Sequence, residues 1–129
     1  MQHWFLFSDR IHNSWQEAFP DAHILSLSKL NELPSDGKGL VWCSLETGSR
    51  IEEVVALVNQ HSSMPKVVMR DEPNDDEVLT TIATGALAYC NCRAAPEVLQ
   101  QIALVLENGG LWVGQSLLRQ LVGGATRIL

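Results

Sequence analysis

The residues of this chain that could take part in chemistry stand at the ends of short apolar runs. They are Ser8 and Asp9 after residues 3–7, Ser44 within 39–45, Arg70 at the end of 66–70, and Cys92 at the end of 87–92. A carboxylate can bind a hard metal ion through its oxygens. A hydroxyl or a thiol becomes a nucleophile when a neighbouring group activates it, and a guanidinium carries a fixed positive charge. These side chains form one site only if the fold brings the ends of the runs together.

The spacing of apolar residues predicts five β-strands with helices between them. The predicted strands are 3–7, 22–27, 39–45, 66–70 and 87–92, and the predicted helices are 13–19, 49–61, 74–86 and 95–110. Asn74 or Asp75 can cap the helix at 74–86, and Gly85 and Gly109 stand where the last two helices end. Strands that alternate with helices predict an α/β fold with a doubly wound parallel sheet, most commonly in the strand order 2-1-3-4-5.

Ligands of such a sheet bind at the carboxyl ends of its strands. The candidate site residues are therefore Ser8, Asp9, Ser44, Arg70, Asp71 and Cys92. Cys90 and Cys92 face the same side of the last strand at a distance unsuited to a disulfide. We interpret both as small buried residues, with Cys92 the exception closest to the strand end. The four histidines are scattered along the chain and suggest no metal-ligand set.

Composition narrows the classes of partner. A length of 129 residues is enough for one domain, and a net charge of −6 argues against direct nucleic-acid binding by this domain. No apolar run reaches the roughly 20 residues that span a membrane. Three cysteines without a disulfide pattern predict reduced thiols and a cytoplasmic location. We expect no cofactor, because no glycine-rich phosphate loop follows the first strand.

Three motifs in the second half of the chain follow one another at a recognisable spacing. They are ATGALAY at 83–89, Ala-Pro-Glu at 95–97 and Gly-Gly-Leu-Trp at 109–112. In this combination the chain resembles the receiver domains of two-component response regulators, in particular those joined to a LuxR-type helix-turn-helix DNA-binding domain. The resemblance covers about residues 65–122 well and the first half mainly by its strand pattern. It implies a flavodoxin-like fold.

The resemblance also implies a phosphorylation site, from which this chain departs at four of five positions. Receiver domains hold Mg²⁺ with two acidic residues after the first strand, and here only Asp9 remains, beside Ser8. Ser44 stands in place of the aspartate that accepts the phosphoryl group. Arg70 stands in place of a hydroxyl residue, and Cys92 in place of a lysine. We therefore interpret the chain as a pseudo-receiver that has no catalytic activity and binds no metal.

Two alternatives stay open at this stage. In the first, the chain is a working receiver with altered chemistry, in which Asp9 or Glu46 accepts the phosphoryl group. In the second, it is a small flavodoxin-like thiol enzyme, which requires the pKa of Cys92 to lie well below its ordinary value of about 8.5.

The role of Arg70 also has two interpretations. Its guanidinium could stand near Asp9 as a fixed positive charge in place of the metal ion. It could equally form an ion pair with its close neighbours Asp71 or Glu72.

The resemblance places the chain in bacterial signal transduction and transcription control, as a protein–protein interaction module that forms a homodimer. The implied surface is formed by the last two helices and the strand between them, and includes Leu79, Tyr89 and Leu106. Residues 1–110 would form the receiver-like domain. Residues 111–129 would form a C-terminal linker helix with Leu117 and Leu121 on its apolar stripe, which in the resembling proteins leads to a DNA-binding domain.

Overall fold

A computed structural model describes residues 1–114, so the interaction residues Leu117 and Leu121 lie outside the described part of the chain. Five parallel strands form one sheet with helices on both faces, and across the sheet the second strand of the chain is followed by the first, third, fourth and fifth. This confirms the predicted α/β, flavodoxin-like fold. Within residues 1–114, no helix has both the length and the apolar character needed to cross a membrane.

The elements follow one another in strict alternation. The strands are β1 Gln2–Phe7, β2 His23–Ser26, β3 Gly39–Leu45, β4 Lys66–Arg70 and β5 Ala88–Asn91. The helices are α1 Asn13–Ala18, α2 Ile51–His61, α3 Asp76–Ala83 and α4 Pro96–Glu107, and a 3-10 helix, Leu27–Glu32, follows β2. The bounds of β3 and β4 coincide with the prediction. Both strands lie inside the sheet, where residues 40–43 of β3 and 67–69 of β4 are apolar and buried.

Successive residues of each strand point to opposite faces of the sheet and so build two cores. Cys43 and Val68 belong to the core under α2 and α3. Trp42, Met69 and Cys92 belong to the core under α1 and α4. Trp42 is fully buried and stacks on Phe5, with ring centroids 5.1 Å apart. The sheet therefore separates side chains at its carboxyl edge according to the face on which they lie.

The glycines and the capping side chain that the sequence predicted are found at the ends of α3 and α4. Gly85 and Gly109 follow the ends of α3 and α4 with φ of 92° and 81°, values that favour glycine. The side-chain oxygen of Asn74 accepts a hydrogen bond of 2.9 Å from the backbone N–H of Asp76, at the start of α3. The helices α2, α3 and α4 are each shorter than predicted by the residues that flank them.

The chain returns to the edge of the sheet after α4. The backbone N–H of Trp112 donates to the carbonyl of Leu87, and the N–H of Tyr89 donates to the carbonyl of Trp112, each at 3.0 Å. Contacts with β5 therefore extend past residue 110, the end that the sequence predicts for the receiver-like domain.

Candidate functional site

Two polar clusters lie at the carboxyl edge of the sheet, on opposite faces. Arg70 ends β4 and pairs in register with Leu45, whose side chain belongs to the core under α2 and α3. Cys92 follows β5 and belongs to the core under α1 and α4. The candidate residues therefore do not form the single site that the sequence suggested. We call the two groups the arginine cluster (Arg70, Glu77 and Tyr89) and the thiol cluster (His12, Asp71 and Cys92).

In the arginine cluster, a buried guanidinium is neutralised by a carboxylate of α3. Arg70 is 4% exposed. Its Nε donates to Glu77 Oε1 at 3.1 Å, and its Nη2 donates to Oε2 of the same carboxylate at 2.8 Å. This bidentate geometry is the one a guanidinium favours with a carboxylate. The partner is thus Glu77, and not Asp9, Asp71 or Glu72 as the sequence suggested, because α3 carries Glu77 over the end of β4.

The same guanidinium fixes the loop between β3 and α2. It donates hydrogen bonds to the backbone carbonyls of Glu46 and Ser49. The Glu46 carbonyl also accepts from the backbone N–H of Ser49 at 3.0 Å, so the guanidinium reinforces a turn that the backbone already forms. A cleft of about 420 Å³ opens beside this loop, with Thr47, Glu72 and Asn74 among its lining residues. Arg70 forms part of the wall of this cleft, but its charge is already paired.

Tyr89 completes the arginine cluster from β5. Its hydroxyl donates to Glu77 Oε1 and accepts from the backbone N–H of Asn74, both at 2.8 Å. Burial and the hydrogen bond to the Glu77 carboxylate raise the pKa of Tyr89 to about 12, because both disfavour a second negative charge. The ring is buried, at 5% exposed. The predicted aromatic residue is therefore part of a polar link between β5 and α3.

In the thiol cluster, three side chains from distant parts of the chain converge. The Sγ of Cys92 donates to Asp71 Oδ1 at 2.8 Å and lies 3.4 Å from His12 Nε2. His12 Nε2 lies 3.8 Å from Asp71 Oδ1. His12 precedes α1, Asp71 follows β4 and Cys92 follows β5, so three connections on one edge of the sheet meet here.

The charges around this thiol oppose its ionisation. Burial raises the pKa of Cys92 to about 12, and the hydrogen bond to Asp71 acts in the same direction. The same hydrogen bond is the main cause that holds the pKa of Asp71 below its ordinary value. A nucleophilic cysteine requires the opposite shift, so this geometry disfavours the thiol-enzyme alternative.

Aromatic contacts hold the thiol cluster in place. The indole N–H of Trp15 donates to the backbone carbonyl of Cys92 at 2.9 Å. The ring of His12 lies against Trp15, with centroids 5.5 Å apart and planes at 60°. Trp15 is fully buried and also stacks on Phe5. Both His12 and Cys92 are thus positioned by one side chain that the core fixes.

The remaining candidates take no part in either cluster. Ser8 and Asp9 follow β1 and are exposed, and Glu46 is exposed beyond the end of β3. Ser44 is half-buried inside β3, opposite Phe7 and Met69, and Leu45 ends the strand. Among the described residues, the carboxylates of Asp9 and Glu46 make no ion pair.

The interaction surface predicted from the sequence needs a correction. Leu79 on α3 is 61% exposed and can meet a partner. Leu106 is 7% exposed and packs in the core beside Leu99 and Ile102. Helix α4 turns this leucine towards the sheet, so Leu106 does not belong to a surface. Tyr89 is likewise covered by its own domain.

Comparison with known protein families, with characterised proteins and with solved structures finds no match for this chain.

The sequence pattern did not identify His12 and Glu77 as members of the two clusters. Glu77 is the second residue of α3, which begins close to the end of β4, and this position in the first turn of the helix is the signal by which it could have been found. His12 carries no signal, since it precedes a six-residue helix and meets Cys92 only through the fold.

Proposed function

We propose that this chain is a receiver-like regulatory module that works through protein–protein contacts and does not depend on phosphorylation. The observation that carries this proposal is the buried pair of Arg70 and Glu77 at the carboxyl edge of the sheet. In receiver domains a hydroxyl at the position of Arg70 binds the incoming phosphoryl group. Here a guanidinium takes that position and its charge is already paired.

The electrostatics of the edge support the same proposal. Phosphoryl transfer needs an acceptor and cations that stabilise the transferred charge. Ser44 offers a hydroxyl with no hydrogen-bond partner among the described side chains, and Asp9 is a lone exposed carboxylate. Mg²⁺ is usually held by one or two carboxylates together with phosphate oxygens. Ser44 therefore offers no carboxylate at the acceptor position, and Asp9 lacks the second carboxylate that a receiver-type Mg²⁺ site uses.

The arginine cluster supports a mechanism without phosphorylation. Arg70 joins β4 to α3 through Glu77 and to the loop after β3 through two carbonyls. Tyr89 joins β5 to the same carboxylate. The elements that a phosphoryl group would rearrange are therefore held by permanent charges. Output then follows from constitutive pairing, or from a ligand with different affinities for two conformations.

The proposal is tested by intact-mass spectrometry after incubation with acetyl phosphate and Mg²⁺. We expect no adduct on the wild-type chain or on Ser44→Ala, while an authentic receiver domain in the same buffer becomes phosphorylated. An acid-labile, hydroxylamine-sensitive adduct on the wild-type chain would show that a carboxylate accepts the phosphoryl group. The working-receiver alternative would then replace this proposal, with Asp9→Asn and Glu46→Gln used to locate the acceptor.

A further inference from the structure

We propose that His12, Asp71 and Cys92 bind one zinc ion at the carboxyl edge of the sheet. An imidazole nitrogen, a carboxylate oxygen and a thiol sulfur, one from each residue, lie within 4.8 Å of one another. No phosphorylation chemistry enters this inference, which stands apart from the proposed function.

The distances fit a tetrahedral ion with small adjustments. Zinc binds sulfur at about 2.3 Å and nitrogen or oxygen at about 2.0–2.2 Å, so neighbouring ligand atoms are about 3.3–3.6 Å apart. The separation of Cys92 Sγ and His12 Nε2 is 3.4 Å, and that of His12 Nε2 and Asp71 Oδ1 is 3.8 Å. The 2.8 Å between Cys92 Sγ and Asp71 Oδ1 must lengthen, because the thiol proton joins these two atoms in the metal-free protein, and the 3.8 Å between His12 and Asp71 must shorten slightly.

The types of ligand select the class of ion. A thiolate and an imidazole favour borderline or soft metals such as zinc, whereas Mg²⁺ and Ca²⁺ prefer sites made of oxygen. The thiolate and the carboxylate supply two negative charges, which neutralise the two positive charges of Zn²⁺. On binding, a bond forms from sulfur to zinc, and the thiol proton of Cys92 passes to solvent.

Neighbouring side chains orient two of the proposed ligands and leave room for the ion. Trp15 orients both the carbonyl of Cys92 and the ring of His12, which limits the entropy lost on binding. The Nε of Arg93 lies 3.5 Å from Asp71 Oδ1, but its side chain is 59% exposed and can turn into solvent when zinc takes its place. Three protein ligands leave the fourth position to water, because His12 and Asp71 are partly exposed.

The experiment uses chelator-treated protein titrated with Co²⁺, which replaces zinc and gives a thiolate charge-transfer absorption band. We expect one equivalent to bind, Zn²⁺ to displace it, and the thermal unfolding midpoint to rise with added Zn²⁺. Cys92→Ser should abolish the band. His12→Gln and Asp71→Asn should each weaken affinity by about 10-fold or more, since even loss of an outer partner of a ligand has that effect.

Matched variants separate the site from its surroundings. Cys90→Ser removes a thiol that is two residues away on the same face, and Glu72→Gln removes the carboxylate next to Asp71. Both should keep the band, and circular dichroism shows which variants are folded. Absence of a thiolate band in the wild-type chain would overturn the proposal. A band that persists in folded Cys92→Ser, or that is lost in folded Cys90→Ser, would overturn it as well.

Discussion

The hydroxyl of Tyr89 and the carboxylate of Glu77 lie 2.8 Å apart and join the last strand to the helix before it. The oxygen that accepts this bond also accepts from Arg70 Nε at 3.1 Å. One carboxylate of α3 thus connects β4 and β5 at the carboxyl edge of the sheet. The contribution of this cluster to stability can be measured.

Replacing Glu77 by glutamine should reduce the free energy of unfolding by about 2 kcal/mol. Loss of one partner of a fully buried ion pair costs about 3–5 kcal/mol, and the partial exposure of Glu77 lowers that figure. Glu52→Gln is the matched control, because both Glu52 and its partner Arg50, which is 66% exposed, lie in solvent, so stability should be nearly unchanged. Urea unfolding measures both variants, and equal losses would contradict the assigned role of the pair.

Tyr89 should ionise at a pH about two units higher than a free tyrosine does. Its pKa is raised to about 12, so the unfolded chain loses its phenolic proton first, at about pH 10. Stability should therefore fall as pH rises from about 10 to 12. The chain has a single tyrosine, so tyrosinate absorbance reports this residue alone. Glu77→Gln should lower the pKa, and a wild-type midpoint near 10 would contradict the buried link.

His3 should make the fold sensitive to mild acid. Burial, with a smaller effect of the N-terminal amino group, lowers the pKa of His3 to about 4. Its Nδ1 accepts a hydrogen bond of 3.1 Å from Trp42 and so must stay unprotonated. The unfolded chain takes up a proton below about pH 6.5, so stability is present above that pH and is lost as pH falls towards 4.

The measurement compares urea unfolding at pH 7 and pH 4.5. The wild-type chain should lose about 2 kcal/mol more than His3→Gln, whose amide oxygen accepts the Trp42 bond but cannot become charged. His61→Gln, at the end of α2, is the control for replacing a histidine outside the His3–Trp42 contact. Identical pH dependence in the wild-type chain and His3→Gln would rule out this origin.

Pairing of two copies should depend on Leu79. This leucine is 61% exposed on α3, and a charge there would stand in the centre of the predicted interface. In sedimentation experiments over a range of concentrations we expect a dimer for the wild-type chain and a monomer for Leu79→Asp. Leu57→Asp on α2, where the leucine is 42% exposed, should remain a dimer. A monomeric wild-type chain would contradict the homodimer and leave a different protein as partner.

Gly39 should not tolerate alanine. An added Cβ would lie 2.7 Å from the backbone oxygen of Gln2 and 3.1 Å from the sulfur of Met64. Because the oxygen belongs to the neighbouring strand, relief requires a backbone shift that costs about 1–3 kcal/mol. Gly114→Ala has open space around its Cβ and should leave thermal unfolding unchanged. Equal melting temperatures of the two variants would contradict this close approach.

The sequence predicted the fold through the strands that lie inside the sheet. The apolar stretches 40–43 and 67–69 mark the inner strands β3 and β4, whereas the edge strands β2 and β5 are shorter than predicted. In β2 no residue is fully buried, so hydrophobicity marks its ends poorly. β5 is buried over residues 88–90 and falls short of the prediction by one residue at each end. Gly85 and Gly109 were predictable because a positive φ has its own residue preference.

The sites were only partly predictable. The rule that ligands meet strand ends led to Arg70, Asp71 and Cys92, but it did not say which face each side chain would take. A shift of one residue along a strand moves each side chain to the opposite face of the sheet. In the observed register, Arg70 and Cys92 lie on opposite faces. His12 was missed because its distance along the chain from Cys92 carries no periodic signal.

His12 and Cys92 are 80 residues apart along the chain, and their contact joins the segment after β1 to the residue that follows β5. This contact is strongly non-local along the chain. A signal from this cluster therefore reports the completed domain. Any ligand held there would strengthen every element between the two residues at once, and unfolding would release it.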